Sequence, residues 1–250
     1  MIAIRNRPTV WFSAAAVAAA IGALAAGTAD ESDPPASTAT VVAEGLVTYK
    51  GRLPESVPVP EANDVRRILD VNPRNHGLKD VMVWLTGAPA PPAPSSLRNK
   101  KPATMDQRNY FFLPHVLAID DGQEVEFLNS DAANHGVMAT AFDAQNSFNV
   151  VTPPGGSYKH RFAAAKRPVK IGCPFHAGMA AWVYVFRHPY HAVTDADGRF
   201  RLPPLQPGKY TVIAEHPDTG MRWTRPIELN TASPPRLAVE FSEKDLTPNS

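Results

Sequence analysis

The chain has 250 residues, 44% of them hydrophobic, with 25 basic and 24 acidic side chains, so it carries apolar material for one large or two small cores and is not globally disordered. Its single cysteine, Cys173, excludes internal disulfides as a source of stability. No basic stripe with interleaved aromatics occurs, which argues against nucleic acid as a partner.

The first residues read as an export signal. Arg5 and Arg7 precede an almost uncharged apolar run from Val10 to Ala26, followed by the small residues Gly27, Thr28 and Ala29. Residues 1–29 are taken as a signal peptide cleaved after Ala25 or Ala29; left uncleaved, the same Ala-rich run is a weak membrane anchor. Cleavage turns the formal net charge of +1 into −1 by removing Arg5 and Arg7, and it places the protein in the periplasm or outside the cell. A lone thiol in such an oxidising compartment has to be buried, paired with another chain or bound to something.

Residues 30–40 are acidic and then Pro/Ser/Thr-rich, a flexible linker. From Val41 onward the texture is β: short alternating runs such as Gly45–Tyr49 and Val81–Leu85 lie between Pro- and Gly-bearing turns. Twenty-six prolines and the lack of a three-turn amphipathic run point away from helices. Residues 41–102 are read as N-terminal strands, with Ala88–Pro94 as a proline-rich surface connection. Phe111–Ile119 and Gln123–Asn129 flank an Asp120-Asp121-Gly122 turn and are predicted to form a hairpin, after which a polar loop reaches His135. Further strands are predicted over Ser157–Phe162, Pro168–Cys173 and Ala181–Phe186. The alternation of Val169, Ile171 and Cys173 directs the sulfur to the core face. From Thr194 the chain repeats a turn followed by an alternating strand, over 194–202 and again over 205–212.

The chemistry concentrates in Cys173-Pro174-Phe175-His176-Ala177-Gly178-Met179, a C-x-x-H-x-x-M loop between two strands, with His135 upstream. One thiolate, two imidazoles and a weak thioether suit copper, which cycles between a soft Cu(I) and a Cu(II) state that imidazole accepts. Zinc sites use Cys, His and carboxylate, so Met179 argues against zinc. A Cys-His nucleophile fails on context: Cys173 and His176 share one short loop and no orienting carboxylate adjoins them. Nothing supplies the histidines of a second copper centre, and no C-x-x-x-C pair supports a binuclear one.

These motifs, over roughly residues 103–187, resemble the cupredoxins, particularly amicyanin-like and methylamine-utilisation-like proteins, with Asp131–Val137 similar to the loop of the first histidine ligand and Tyr158–Val185 to the final ligand hairpin. The block after Thr194 is similar to the carboxypeptidase regulatory-like, prealbumin-like β-sandwich. The resemblance implies an all-β chain in which a Greek-key cupredoxin β-sandwich (103–189) joins a second, prealbumin-like sandwich (segment 190–245). Gly45–Tyr49 and Val81–Leu85 fit that second sandwich, so the copper module would be inserted into it or packed on it. It further implies one type 1 copper held by His135, Cys173, His176 and Met179, single-electron carriage between redox protein partners, and no enzyme activity of its own. A membrane enters only if the N-terminal segment is uncleaved. Two other classes stay open: a periplasmic copper(I) carrier or sensor, and a metal-free cell-surface interaction module.

The sequence departs from that pattern in three places. Gly136 stands where cupredoxins commonly have an Asn bracing the ligand loop, leaving Asn134 or Ser130 as candidate braces. Ala177 and Gly178 replace the Pro and aromatic residue common in short ligand loops, which predicts a less rigid loop. His188 and His191 are read as structural residues at the junction, His115 and His160 as strand residues, and His76 and His216 as surface residues. Phe148, Phe175, Ala177 and Gly178 are expected near the edge of His176, as an apolar docking patch or as ordinary loop packing.

Overall fold

Prolines and β-branched residues spaced between turn formers disfavour helices, and the described residues form strands joined by turns and three-residue 3₁₀ segments. A computed structural model describes residues 39–87, 101–232 and 236–246; the segments read from sequence as signal peptide (1–29) and proline-rich connection (88–94), and nearly all of the one read as linker (30–40), lie outside them. The first strands are β1 (Glu44–Lys50), β2 (Val57–Val59), β3 (Asp64–Arg66) and β4 (Met82–Thr86). Next come β5 (Ala103–Arg108), β6 (Phe111–Leu113), β7 (Val116–Asp120), β8 (Glu124–Asn129), β9 (His135–Thr140), β10 (Phe148–Thr152), β11 (Ser157–Arg161), β12 (Val169–Gly172) and β13 (Ala180–Phe186). The last are β14 (His191–Val193), β15 (Arg199–Arg201), β16 (Gly208–Glu215), β17 (Arg222–Leu229) and β18 (Arg236–Ser242).

The chain is all-β, and its four larger sheets pair into two sandwiches. A central sandwich sets β10-β9-β12-β13-β7 against β11-β8-β5-β6, and a terminal one sets β15-β1-β18 against β14-β4-β16-β17. Strands from both ends of the chain thus share the terminal sandwich: β1 pairs in parallel with β18, and β4 lies between β14 and β16. The small β2-β3 hairpin forms a two-stranded sheet of its own.

The period-2 rule explains why the two sandwiches adhere. On β13, Ala181, Val183 and Val185 enter the central core with Ile119, Phe127 and Val137, while Trp182, Tyr184 and Phe186 point the other way. On β4, Val83 and Leu85 enter the terminal core, and Met82 and Trp84 face outward to meet that aromatic row. Trp84 stands 6.2 Å from the Tyr184 ring and 5.9 Å from Phe186, and the Tyr184 hydroxyl donates to the Glu215 carboxylate at 2.9 Å. Both strands are therefore apolar on two faces, as expected of strands covered on both sides.

One supersecondary expectation fails. Phe111–Ile119 is two strands, not one, and no hairpin joins it to the following strand: β6 and β8 lie in one sheet, β7 in the other. Pro114 supplies no backbone donor and interrupts the run. β7 then crosses to pair in parallel with β13, while β8 pairs with β5 and β11.

Candidate metal centre

The Val169, Ile171, Cys173 alternation places all three side chains in the central core, with Cys173 6% exposed at the end of β12. Cys173 N–H donates to the Met179 carbonyl and Met179 N–H to the His176 carbonyl, which folds the ligand loop back on itself. Met179 is buried in the same core as Cys173. His135, fully buried, opens β9 beside this loop.

His135 Nδ1 lies 3.0 Å from His176 Nδ1 and 3.9 Å from Cys173 Sγ, and His176 Nδ1 lies 3.5 Å from the same sulfur. These separations set the three atoms on a circle of radius about 2.0 Å, close to metal–nitrogen distances of about 2.0–2.1 Å and metal–sulfur distances of about 2.3 Å. Among the described residues this is the one group of three or more His, Cys, Asp or Glu side chains that converges in this way. His135 Nε2 meets the Asp131 carboxylate at 2.8 Å, so that nitrogen carries the ring proton and Nδ1 presents a lone pair. A proton on His176 can serve one neighbour at a time, whereas a cation serves all three donors. The donor set, one sulfur and two imidazole nitrogens with a buried thioether in the loop, fits copper.

The brace for His135 comes from neither Asn134 nor Ser130. Ser130 donates to Asp106 at 2.9 Å; Asp131 grips the imidazole, four residues before it. Burial alone pushes the Asp131 carboxyl up, but N–H donors from Tyr110 and Asn109 and the His135 ring outweigh it and hold the carboxyl below its ordinary range. Asn129, 2% exposed, ties down the intervening loop by donating to the Ala133 and Thr152 carbonyls and accepting from Asp131 N–H.

Gly136 has its own role. Its N–H points at Cys173 Sγ, 3.4 Å away, and a Cβ there would lie 2.6 Å from Pro174 Cδ and 2.8 Å from Cγ. The position normally read as a missing brace is a close approach between the two ligand loops, and it supplies the sulfur with a backbone donor. Gly178 is similarly confined: a Cβ would sit 2.8 Å from Val59 Cγ2. The ligand loop that looked less rigid in sequence is packed from outside by β2.

Two further groups were not foreseen. Asn109 and Tyr110 form the two-residue turn between β5 and β6, both with positive φ, 52° and 62°, the signature of a type I′ turn. Tyrosine is an uncommon occupant of the left-handed region. Its ring lies edge-on to both candidate ligands, 5.2 Å from His135 and 5.0 Å from His176. The Asp131 oxygens accept both turn N–H groups, at 2.6 and 2.9 Å, so one carboxylate joins the turn to His135.

The expected apolar patch is smaller than its four residues. Phe175 is 53% exposed and Ala177 is exposed, but Gly178 is buried under Val59. Phe148 packs on the central core against Phe127 and Phe162, because the alternation of β10 turns it inward. His216 is not a surface residue: it is 1% exposed in the β16–β17 turn, and burial lowers its pKa to about 4. His191 faces Asp120 at 3.5 Å and stacks on Phe186.

No family model matches the chain, and no curated protein matches it. Among solved structures it is similar to a copper-containing nitrite reductase (NirK) from Thermus scotoductus SA-01, 23% identical over 35% of this chain and 23% of that one, with a TM-score of 0.32. It is also similar to the reduced Cu(I) form of an amicyanin variant, 17% identical over 41% of this chain and 97% of that one, TM-score 0.32. A third is a purple cupredoxin from Nitrosopumilus maritimus, 24% identical over 33% of this chain and 98% of that one, TM-score 0.29. The chain spans under a quarter of the nitrite reductase it matches.

Proposed function

We propose that this chain is an exported copper protein that carries single electrons between redox protein partners, with His135, Cys173 and His176 as strong ligands and Met179 as a weak one. The observation that carries this reading is the convergence of two Nδ1 atoms and one thiol sulfur on a point inside a core, with the first imidazole oriented by a carboxylate. Bound copper supplies a one-electron couple between Cu(I) and Cu(II).

The chain's own residues supply the rest. Asp131 fixes the His135 tautomer, Gly136 N–H donates toward the sulfur, and the Tyr110 ring packs perpendicular to both imidazoles. Because strands and buried side chains hold the donors, their positions are set by the fold, which favours fast transfer with little rearrangement. His135 is fully buried and Cys173 nearly so, which favours retention over release and so electron carriage over a copper(I) carrier or sensor. On the same reading, residues 103–189 form a cupredoxin module inserted into a carboxypeptidase regulatory-like sandwich. The export signal at 1–29 delivers the protein to the periplasm or the exterior.

Apo protein titrated with copper(II) tests the reading. One equivalent should produce an intense visible thiolate-to-copper band with a narrow hyperfine splitting. Cys173→Ser should abolish the band, and Met179→Leu should keep it while raising the reduction potential. A colourless, copper-free protein would leave the interaction module; a copper(I) complex that releases its metal readily would favour the carrier.

A further inference from the structure

The plane of the candidate site is built within the central sandwich, but the arm bearing Met179 is held from elsewhere. His115 precedes β7, and its Nδ1 lies 2.9 Å from the Ala180 carbonyl, one residue beyond Met179. Its Nε2 lies 2.6 Å from Asp218 Oδ2. Asp218 belongs to the β16–β17 turn of the terminal sandwich. It also accepts from Trp182 Nε1 at 2.9 Å and from Arg66, at the end of β3, at 3.1 Å. Asp218 and Arg66 side chains are 8% and 15% exposed. Burial alone pushes the Asp218 carboxyl up, yet the donors from His115 and Trp182 and the Arg66 charge hold it well below the carboxylate range. Asp218 is therefore a fixed anion that orients the His115 ring.

The same hairpin contributes a second restraint. Val59, fully buried at the end of β2, abuts Gly178 so closely that a Cβ there would meet Val59 Cγ2 at 2.8 Å and the Pro58 carbonyl at 3.0 Å. Gly178 and Ala180, on either side of Met179, are thus each restrained by groups outside the strands that carry the other three ligands.

We propose that the terminal sandwich and the β2-β3 hairpin position the Met179 arm of the metal centre, with His115 and Val59 as positioning residues and Asp218 and Arg66 orienting His115. The meaning of Met179 as an axial donor rests on the copper reading; the restraint on the arm does not. Electron-transfer properties then depend on a sandwich that contributes no ligand.

Amide hydrogen exchange on the full apo chain is the test, with His115→Phe, Asp218→Asn and Val59→Ala. Loss of one net hydrogen bond at Ala180 should speed exchange of the Met179 and Cys173 amides by roughly fivefold in His115→Phe. The Ile171 amide in β12 should be unchanged. Asp218→Asn, which keeps the side-chain shape, should act in the same direction. Val59→Ala leaves the network intact and should loosen the same amides, and it carries the test if His115→Phe fails to fold. Copper-loaded variants should keep full occupancy but shift the reduction potential and the relative intensity of the visible bands. Wild-type exchange at Met179 and Cys173 in the folded variants overturns the proposal even if copper binds. Accelerated exchange in a wild-type background that takes up no copper supports the restraint and removes the copper reading.

Discussion

Gly136→Ala places one methyl group between the two ligand loops. The added carbon would start 2.6 and 2.8 Å from Pro174 Cδ and Cγ, whereas carbon atoms pack at about 3.5–4.0 Å, so something must retreat by about 1 Å. The obstacle is a proline ring fused to the backbone next to Cys173, not the swinging end of a flexible chain. Its retreat moves the sulfur and breaks the Gly136 N–H contact to it. Overpacking of this kind costs about 1–3 kcal/mol, which for a chain of this size lowers the melting temperature by about 2–12 °C. Calorimetry of apo wild type and Gly136→Ala reads the cost, and the copper(II) spectrum reads the displaced sulfur as a shifted or weakened thiolate band. A variant that melts within about 1 °C of wild type with an unaltered band would refute the close-approach explanation of this glycine.

Tyr110→Gly relieves a left-handed backbone at a non-glycine residue, an effect on the order of 1 kcal/mol, while uncovering both imidazoles; chelator challenge should strip copper faster from a variant whose apo melting temperature hardly falls. Burial lowers the His216 pKa to about 4 from an unfolded value of about 6.5. A depressed histidine contributes stability that is full above the unfolded value and lost as pH falls through the folded one, so the protein should lose on the order of 3 kcal/mol between these limits. Urea unfolding across that range should show a flatter slope in His216→Gln. Asp218 behaves alike at lower pH: its contribution is full above about 3.9 and lost as pH falls toward its depressed folded value. The stability gap between wild type and Asp218→Asn should therefore narrow in acid, read from unfolding midpoints.

Local chemistry was legible in the residues themselves. Alternation in Val169, Ile171 and Cys173 correctly placed the sulfur in a core, and the spacing of the ligand loop brought Cys173 and His176 together. What was not legible depends on contacts distant in sequence. Asp131 looks like a solvated loop acid until the β5–β6 turn places two N–H groups on it. Gly136 reads as a lost brace because nothing local reveals the Pro174 ring against it. His216 sits in a His-Pro-Asp-Thr-Gly run that has the composition of an exposed turn, yet the folded chain leaves it only 1% exposed. The failed hairpin teaches the same lesson: Pro114 and an Asp-Asp-Gly turn look like punctuation within one sheet, and only the pairing of β7 with β13 shows that the chain changes sheets there. Val59 and Asp218 carry no motif, and their influence on the Met179 arm exists only in three dimensions.

The most direct measurement of the central claim is the visible absorption spectrum, with electron paramagnetic resonance, of purified apo protein after one equivalent of copper(II), set beside Cys173→Ser. The geometry of His135, Cys173 and His176 predicts an intense thiolate-to-copper band with narrow hyperfine splitting in wild type and none in the variant. A spectrum identical in both proteins, with copper bound weakly or not at all, would contradict it.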